Sequence, residues 1–447
     1  MQSSPTPPDA CQDSPVTEAI PFSNATVQPP VLALEPDILR LAADELEAAG
    51  VAGESRTVKL LYLVATSRIL ERPCSIALKG PSAGGKSFLA AQTLDLFPES
   101  AYYALSAMSD RALAYDTEPL RHRMLVVYEA AGISSDTASY LMRSLLSEGR
   151  ISYVTVDRGK SGLASRRIER EGPTGLITTT TAVHLHPENE TRLLSLTVAD
   201  TPDQTQAVML AHARGAGPDR NRTAWHDLQT WLAEHPTDVR VPFAETLATA
   251  IPPVAVRLRR DFPTLLSLVR VHALLHQCSR QRDEDGAVVA TLDDYSAVRE
   301  LVWDLMADAA ERSVPSTVRE TVAAVEDLAR DDILGEGVTQ TQVAARLGVD
   351  KSTAQRRSRV AISRGFLRNL EARRGLPARL VGGDPLPDDR SLLPGVSELA
   401  RLHGCMPDRR DELPVEVDYP RSAHLLDEED DDLWSLVPGA TGGDPQS

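Results

Sequence analysis

The sequence is poor in cysteine, and its four, Cys11, Cys74, Cys278 and Cys405, stand far apart with no C-x-x-C pair. That scatter excludes a zinc ribbon and a disulfide framework, so reduced thiols are expected. Also missing is any apolar run long enough to cross a bilayer as a helix. The stretch MQSSPTPPDACQDSPVTEAI lacks the basic-then-apolar plan of a secretory signal, and a cytoplasmic protein that does not engage membranes is expected. No internal repeat marks a solenoid. Positive charge is short as well: the formal net charge is −17, which argues against nucleic acid as a partner if charge is evenly spread.

It is not evenly spread. Much of the excess acid lies in LLDEEDDDLWSL near the C-terminus, whereas residues 346 to 379 carry ten Lys/Arg against two Asp/Glu. A basic island inside an acidic chain keeps nucleic acid open as a partner.

With 447 residues the chain has room for two or three domains. Residues 1–33 are rich in Pro, Ser and Thr and read as a disordered leader. From 34 to 200 short apolar runs alternate with helical patterns, the pattern of an α/β domain with a parallel sheet. Residues 201–312 read as almost wholly helical. Residues 316–382 read as a helix-turn-helix with a wing: a helix from Gln340 to Leu347, a turn at Gly348-Val349-Asp350, a second helix capped by Ser352 and Thr353, then two strands around a basic turn. Residues 383–447 read as a loose acidic tail, either solvated or a strip where Leu425, Leu426, Leu433 and Trp434 anchor a partner.

Chemistry is concentrated in SIALKGPSAGGKSFLAAQTL. Gly80-Pro81-Ser82-Ala83-Gly84-Gly85-Lys86-Ser87 spells G-x-x-x-x-G-K-S between an apolar strand and a helix, the context a phosphate-binding loop requires. Glycines let several N–H groups face one anion, Lys86 would reach the β- and γ-phosphates, and Ser87 would offer its hydroxyl to Mg²⁺. ATP and Mg²⁺ are therefore the expected ligands. Such a loop needs an acid on a neighbouring strand, and RMLVVYEAAGIS supplies Glu129 to orient the attacking water. RISYVTV and the returning strand toward Glu169 form a β-hairpin, about 151–169, with Arg158 and Lys160 at its tip and Arg166 and Arg167 behind.

The succession SRILERP, SEGRISY, GPTGLITTT and ENETRLLSL resembles AAA+ ATPases of the branch with a hairpin before the sensor strand, as in minichromosome-maintenance helicases and magnesium chelatases. It is similar in particular to ATPase domains beside primase modules in replication proteins of actinobacterial plasmids, phages and integrative elements. The resemblance covers roughly residues 55–310. It implies a P-loop parallel sheet with a helical lid, Thr180 or Thr181 as polar sensor, and Arg192 as the arginine finger for a neighbouring subunit. A second sensor among Arg257, Arg259 and Arg260 is implied, with Arg260 in best register. Tyr128 stands where such ATPases usually carry a metal-side Asp.

The implied assembly is a homo-oligomeric ring, a hexamer, acting on DNA as a replicative helicase or helicase-like remodeller alongside a primase. The hairpin would grip phosphates in the ring's channel. Lys351, Arg356, Arg357 and Arg359 of the winged helix would approach a major groove, with Ser352, Thr353 and Gln355 near base edges. Two other readings stay open: a nucleotide-gated DNA-binding regulator that unwinds nothing, and a chelatase- or chaperone-like remodeller of protein.

Overall fold

The computed structural model describes residues 28–404 except 107, 130–134, 160–161, 182–186, 216–221, 313, 331–335, 372, 374–375 and 387–391. Two helices come first, α1 (Ile38–Ala48) and α2 (Ser55–Thr66). Asp37 starts α1 by accepting the Arg40 N–H at 2.9 Å, and Ile38, Leu39, Ala42, Ala43 and Leu46 form its one buried stripe. There follow β1 (Ile76–Lys79), α3 (Lys86–Leu94), β2 (Tyr102–Leu105), α4 (Ala112–Tyr115), β3 (Arg123–Val127) and α5 (Asp136–Glu148). The long β4 (Arg150–Gly159) and β5 (Gly162–Glu171) lead to β6 (Thr174–Thr180), α6 (Pro187–Glu190) and β7 (Leu194–Thr197).

Five strands make one parallel sheet in the order β2-β3-β6-β1-β7. Its inner strands, β1, β3 and β6, are buried on both faces, because side chains alternate across the pleat. Met124 and Val126 of β3 enter one apolar cluster, Leu125 and Val127 the other, and β1 divides Ile76 and Leu78 from Ala77 in the same way. The expected α/β class with a parallel central sheet is what the structure has.

β4 and β5 stay out of that sheet and pair only with each other, from Arg150 opposite Glu171 to Gly159 opposite Gly162. The base of this ribbon is anchored by Ile151, which is buried with Leu141 and Leu145 of α5. Lys160 lies outside the described residues, and of Arg158 only the backbone is described. Arg166 and Arg167 are on the exposed return strand.

Next come α7 (Pro202–Arg214), α8 (Arg222–Glu234), β8 (Val239–Arg240), α9 (Ala244–Ala250), α10 (Leu258–Leu275), β9 (Val288–Val289) and α11 (Leu292–Arg312). This region is helical as expected, apart from the short parallel pair β8–β9. It is not a hydrophobic unit of its own. Helices α8 to α11 share one continuous core with α1, α2 and a face of the sheet. Tyr62 of α2 lies 5.0 Å from the Phe97 ring and 5.5 Å from that of Trp225, and Arg56 pairs with Asp304 while donating to the Leu301 carbonyl at 2.8 Å. Residue 200 is therefore a change of composition and not a break in packing.

Residues 316–382 have a separate core built on Val318, Val322, Val325, Val343, Phe366, Leu367 and Leu380. Its elements are α12 (Ser316–Arg330), β10 (Val338–Thr339), α13 (Gln340–Leu347), α14 (Lys351–Ser363), β11 (Leu367–Asn369) and β12 (Arg379–Gly382). The three strands form an antiparallel sheet, β10-β12-β11. Two expectations change here. Asp350, not Ser352 or Thr353, caps α14: its carboxylate accepts the Thr353 N–H at 2.9 Å and both hydroxyls at 2.5 and 2.6 Å, which hold it well below the usual carboxylate range. The tail, read as loose from residue 383, folds back over 392–404. There α15 (Val396–His403) buries Leu399 and Ala400, and the Pro394 carbonyl accepts from the Tyr295 hydroxyl at 2.8 Å. Its Leu392, Leu393 and Leu399 supply the apolar anchors that the Pro- and Asp-rich flanks concealed.

One buried polar cluster sets a pH limit on this fold. Asp294 accepts from His272 Nδ1 at 2.7 Å, Arg280 at 2.7 and 3.0 Å and the Thr291 N–H at 2.7 Å. His272, His276 and Asp294 have metal-ligand identities and proximity, yet that carboxylate is already saturated by donors, so the cluster is a bracket between α10 and α11. Burial lowers His276 from 6.5 to about 4. The unfolded chain therefore binds the extra proton between pH 6.5 and 4, and stability falls as pH drops through that window, by roughly 3 kcal/mol at most. Urea titrations at pH 7 and 4.5 should show a loss in the wild type that is smaller in His276→Asn. Equal losses in the two proteins would refute this assignment.

Candidate nucleotide site

Parallel strands present all their C-terminal ends at one edge, and here Lys79 of β1, Val127 of β3 and Thr180 of β6 end together, with Lys79 opposite Thr180 and Val127 opposite Thr178. The phosphate-loop sequence leaves that edge after β1, and its last residues open α3 at Lys86. Gly80 and Gly85 take φ of +152° and +73°, while Ala83 sits at +66°. A Cβ on Gly84 would lie 3.1 Å from the Pro81 carbonyl oxygen. The turn therefore depends on its glycines.

Lys86 is buried, and its Nζ donates to the carbonyls of Gly80 (2.9 Å) and Pro81 (2.5 Å). Among the described residues no carboxylate pairs with it. A buried ammonium balanced only by neutral carbonyls, beneath an open loop and a helix N-terminus, fits an anionic phosphate chain. Ser82, Ala83, Gly85 and Ser87 are exposed around it, Ser87 with its hydroxyl free to meet a Mg²⁺ ion carried by the phosphates.

Glu129 follows β3 in a left-handed conformation at φ +73°, strained by about 1–2 kcal/mol for a residue with a side chain. Its N–H donates to the Thr179 hydroxyl at 3.0 Å, and its side chain is exposed. Glu129 and Ala83 are two of three non-glycine residues at positive φ among those described, the pattern expected where geometry serves a site. Tyr128 beside it is half-buried, packs on the larger core cluster, and has its hydroxyl pushed upward by burial and then by Tyr102. It offers no carboxylate to a metal.

Of the expected sensors, Thr180 is buried at the end of β6 and Thr181 is exposed just beyond it. The residue that touches Glu129 is Thr179, which sequence reading missed because any of four consecutive threonines suits a strand end. Only the strand's register decides which hydroxyl faces β3.

Arg192 lies just before β7. Its Nε donates to Ser147 at 2.7 Å and its NH1 to the Glu188 carbonyl. Burial, and then Arg260 and Arg143, shift the guanidinium toward its neutral form, with Glu188 opposing. Of the three arginines considered for the second sensor, Arg260 donates to Thr191 at 2.6 Å and so joins the Arg192 group. Arg257 is instead locked on Asp261 at 3.0 Å and on the Leu193 carbonyl at 3.0 Å. Arg259 is exposed, and its N–H donates to the Val256 carbonyl at 3.2 Å.

A buried ion pair, Lys79 to Glu190, joins the strand beneath the phosphate loop to the segment carrying Arg192. Nothing in the sequence signalled it, since Lys79 reads as the last residue of an apolar strand.

No protein-family model matches the chain, and no curated protein matches it. Among solved structures, a full-length MCM homolog from Methanopyrus kandleri matches at TM-score 0.40 and 14% identity over 62% of this chain and 62% of that one. This chain thus spans less than two thirds of that protein's length. No helix among the described residues is long and apolar enough to cross a membrane.

On the basic α14, Lys351, Gln355, Arg356 and Arg359 are exposed, as expected of a contact surface. Arg357 is not available in the same way, because it turns back to Glu320 of α12 at 2.9 Å, and Ser352 and Thr353 donate to Asp350.

Two measurements check the site. Lys86→Ala should weaken binding of a fluorescent ATP analogue by at least about 100-fold, since it removes the buried cation. Thr179→Val should leave that affinity within a factor of two while lowering turnover about tenfold, with Thr179→Ser restoring it, because only the acceptor that holds Glu129 is lost.

Proposed function

We propose that this chain is an ATP-hydrolysing motor of the AAA+ class that acts on DNA as an oligomeric ring, a helicase or helicase-like remodeller serving replication of a mobile element together with a primase. The observation that carries the reading is the meeting, at one edge of the sheet, of a buried Lys86 that no carboxylate pairs among the described residues and an exposed, conformationally strained Glu129, from strands on either side of β6.

Lys86 and the loop N–H groups bind the β- and γ-phosphates, and Mg²⁺, held in part by Ser87, offsets their charge when bound. Glu129 accepts a hydrogen bond from water and aligns its oxygen on the γ-phosphorus. As that P–O bond forms, the bond to the bridging oxygen breaks. ADP leaves with the electron pair, and the water proton passes through Glu129 to phosphate. Thr180 at the strand end watches the γ-phosphate. Arg192, with Arg260 beside it, supplies the cation that offsets charge developing on a neighbouring subunit's γ-phosphate.

Arg192 bonds Ser147 and the Glu188 carbonyl, Arg260 bonds Thr191 beside it, and among the described residues neither bonds the phosphate loop, which supports delivery between subunits. The ribbon β4–β5, which stands outside the main sheet, and the basic face of α14 are the DNA contacts, the first along phosphates and the second at a groove. A nucleotide-gated regulator that binds DNA without unwinding it is the second reading, favoured by Tyr128, whose packing into the core leaves the metal one carboxylate short.

Steady-state ATPase assays with and without single-stranded DNA decide first whether there is a DNA-dependent motor. Turnover should rise several-fold with DNA in the wild type and fall by roughly 10³ in Arg192→Ala, while ATP binding by Arg192→Ala is retained. Absence of turnover with any DNA would end the motor reading. Strand displacement then separates a helicase from a regulator.

A further inference from the structure

We propose that one face of α5 is a brace that sets Arg192 and ties it to the β4–β5 ribbon; this rests on the reading of Arg192 as the cation delivered to a neighbouring subunit. Three side chains four residues apart on α5 each hold a residue of the segment just before β7. Ser139 Oγ accepts from Asn189 Nδ2 at 3.1 Å, Arg143 NH1 meets Glu188 Oε2 at 2.6 Å, and Ser147 Oγ accepts from Arg192 Nε at 2.7 Å. That spacing places them along one stripe of the helix, beside the apolar stripe of Ala138, Leu141, Met142 and Leu145 that fixes α5 to the sheet.

Glu188 is engaged twice: its carboxylate takes Arg143 and its carbonyl takes Arg192. Arg143 therefore does not touch Arg192 but holds the residue that does. The need for such a hold is electrostatic. Arg260 and Arg143 both repel Arg192, which is partly buried, and an unbraced guanidinium would swing away into water. Arg143 and Ser147 are positioning residues, and they keep the cation where an incoming phosphate would find it.

The other end of α5 runs into the ribbon without slack. Gly149 caps the helix at φ +69° and its carbonyl accepts the Gly172 N–H at 2.7 Å, while Ser144 Oγ donates to the Arg150 carbonyl at 3.2 Å. Ile151, the second residue of β4, is packed in the same cluster as Leu141 and Leu145. A load on the ribbon is thereby passed to α5 and along the brace to Arg192.

The test uses the full chain and measures ATPase with and without a single-stranded oligonucleotide for Arg143→Gln, Ser147→Ala, Arg192→Ala and the double variant Arg143→Gln/Arg192→Ala. Arg143→Gln should lower kcat about tenfold with KM for ATP unchanged and bring DNA stimulation close to one. The double variant should be no worse than Arg192→Ala alone, and exchanging the pair, Arg143→Glu with Glu188→Arg, should recover most of the turnover. Exposed Ser147→Ala should reproduce the loss of stimulation without disturbing the Arg143–Glu188 pair, which covers the case in which Arg143→Gln folds poorly. Losses that multiply in the double variant, or a raised KM, would overturn the brace. Wild-type turnover in Arg192→Ala would instead overturn the reading of Arg192 itself, whereas a brace that fails alone would leave Arg192→Ala inactive and Arg143→Gln normal.

Discussion

The placement of the candidate site follows from the parallel alignment of five strands, of which the inner three, β1, β3 and β6, are buried on both faces. Such a sheet sends all its C-terminal ends to one edge, and each loop leaving that edge must cross to a helix on one face or the other. The phosphate loop, the acid after β3 and the threonines of β6 are neighbours for that reason alone, although they lie far apart in sequence. Close packing on both faces leaves the strands no freedom to shift, so the relative heights of Lys79, Val127 and Thr180 are fixed to within a residue.

Charge is used sparingly and where water is scarce. Among the described residues Lys86 is buried without a carboxylate, Lys79 is buried with one, and Arg143 and Arg192 both engage Glu188. These three states differ in what they ask for: an anion, nothing, and a fixed direction. The His272–Asp294–Arg280 bracket belongs with the second, since its charges are internally satisfied. The contrast separates groups that hold the fold from groups kept for a ligand.

The sheet, the loop and the acid were legible because each has a local signature: apolar runs of strand length, a glycine pattern of fixed spacing, an acid following a buried run. So was the helix from Gln340 to Leu347, through its apolar spacing and the glycine that ends it. What stayed hidden was set by register and by long-range contact. Which threonine meets Glu129, that Arg357 turns inward to Glu320, and that Lys79 finds Glu190 depend on strand and helix phase that no short window encodes. The segment 392–404 was misread for the opposite reason, since its Pro and Asp neighbours outweighed four well-placed apolar residues. The cap at Asp350 was missed by two residues, the ordinary slack in placing a helix start among several hydroxyl and acidic side chains.

The return of the chain at α15 gives the 316–382 module two attachments to the helical region. Arg319 donates to the Glu311 carbonyl at 2.9 Å where the module departs, and the 392–404 segment is seated against Tyr295 and Phe243 where it comes back. Both chain ends of the 316–382 module thus run into segments packed on the helical region, which sets it apart from a domain hung on a single linker.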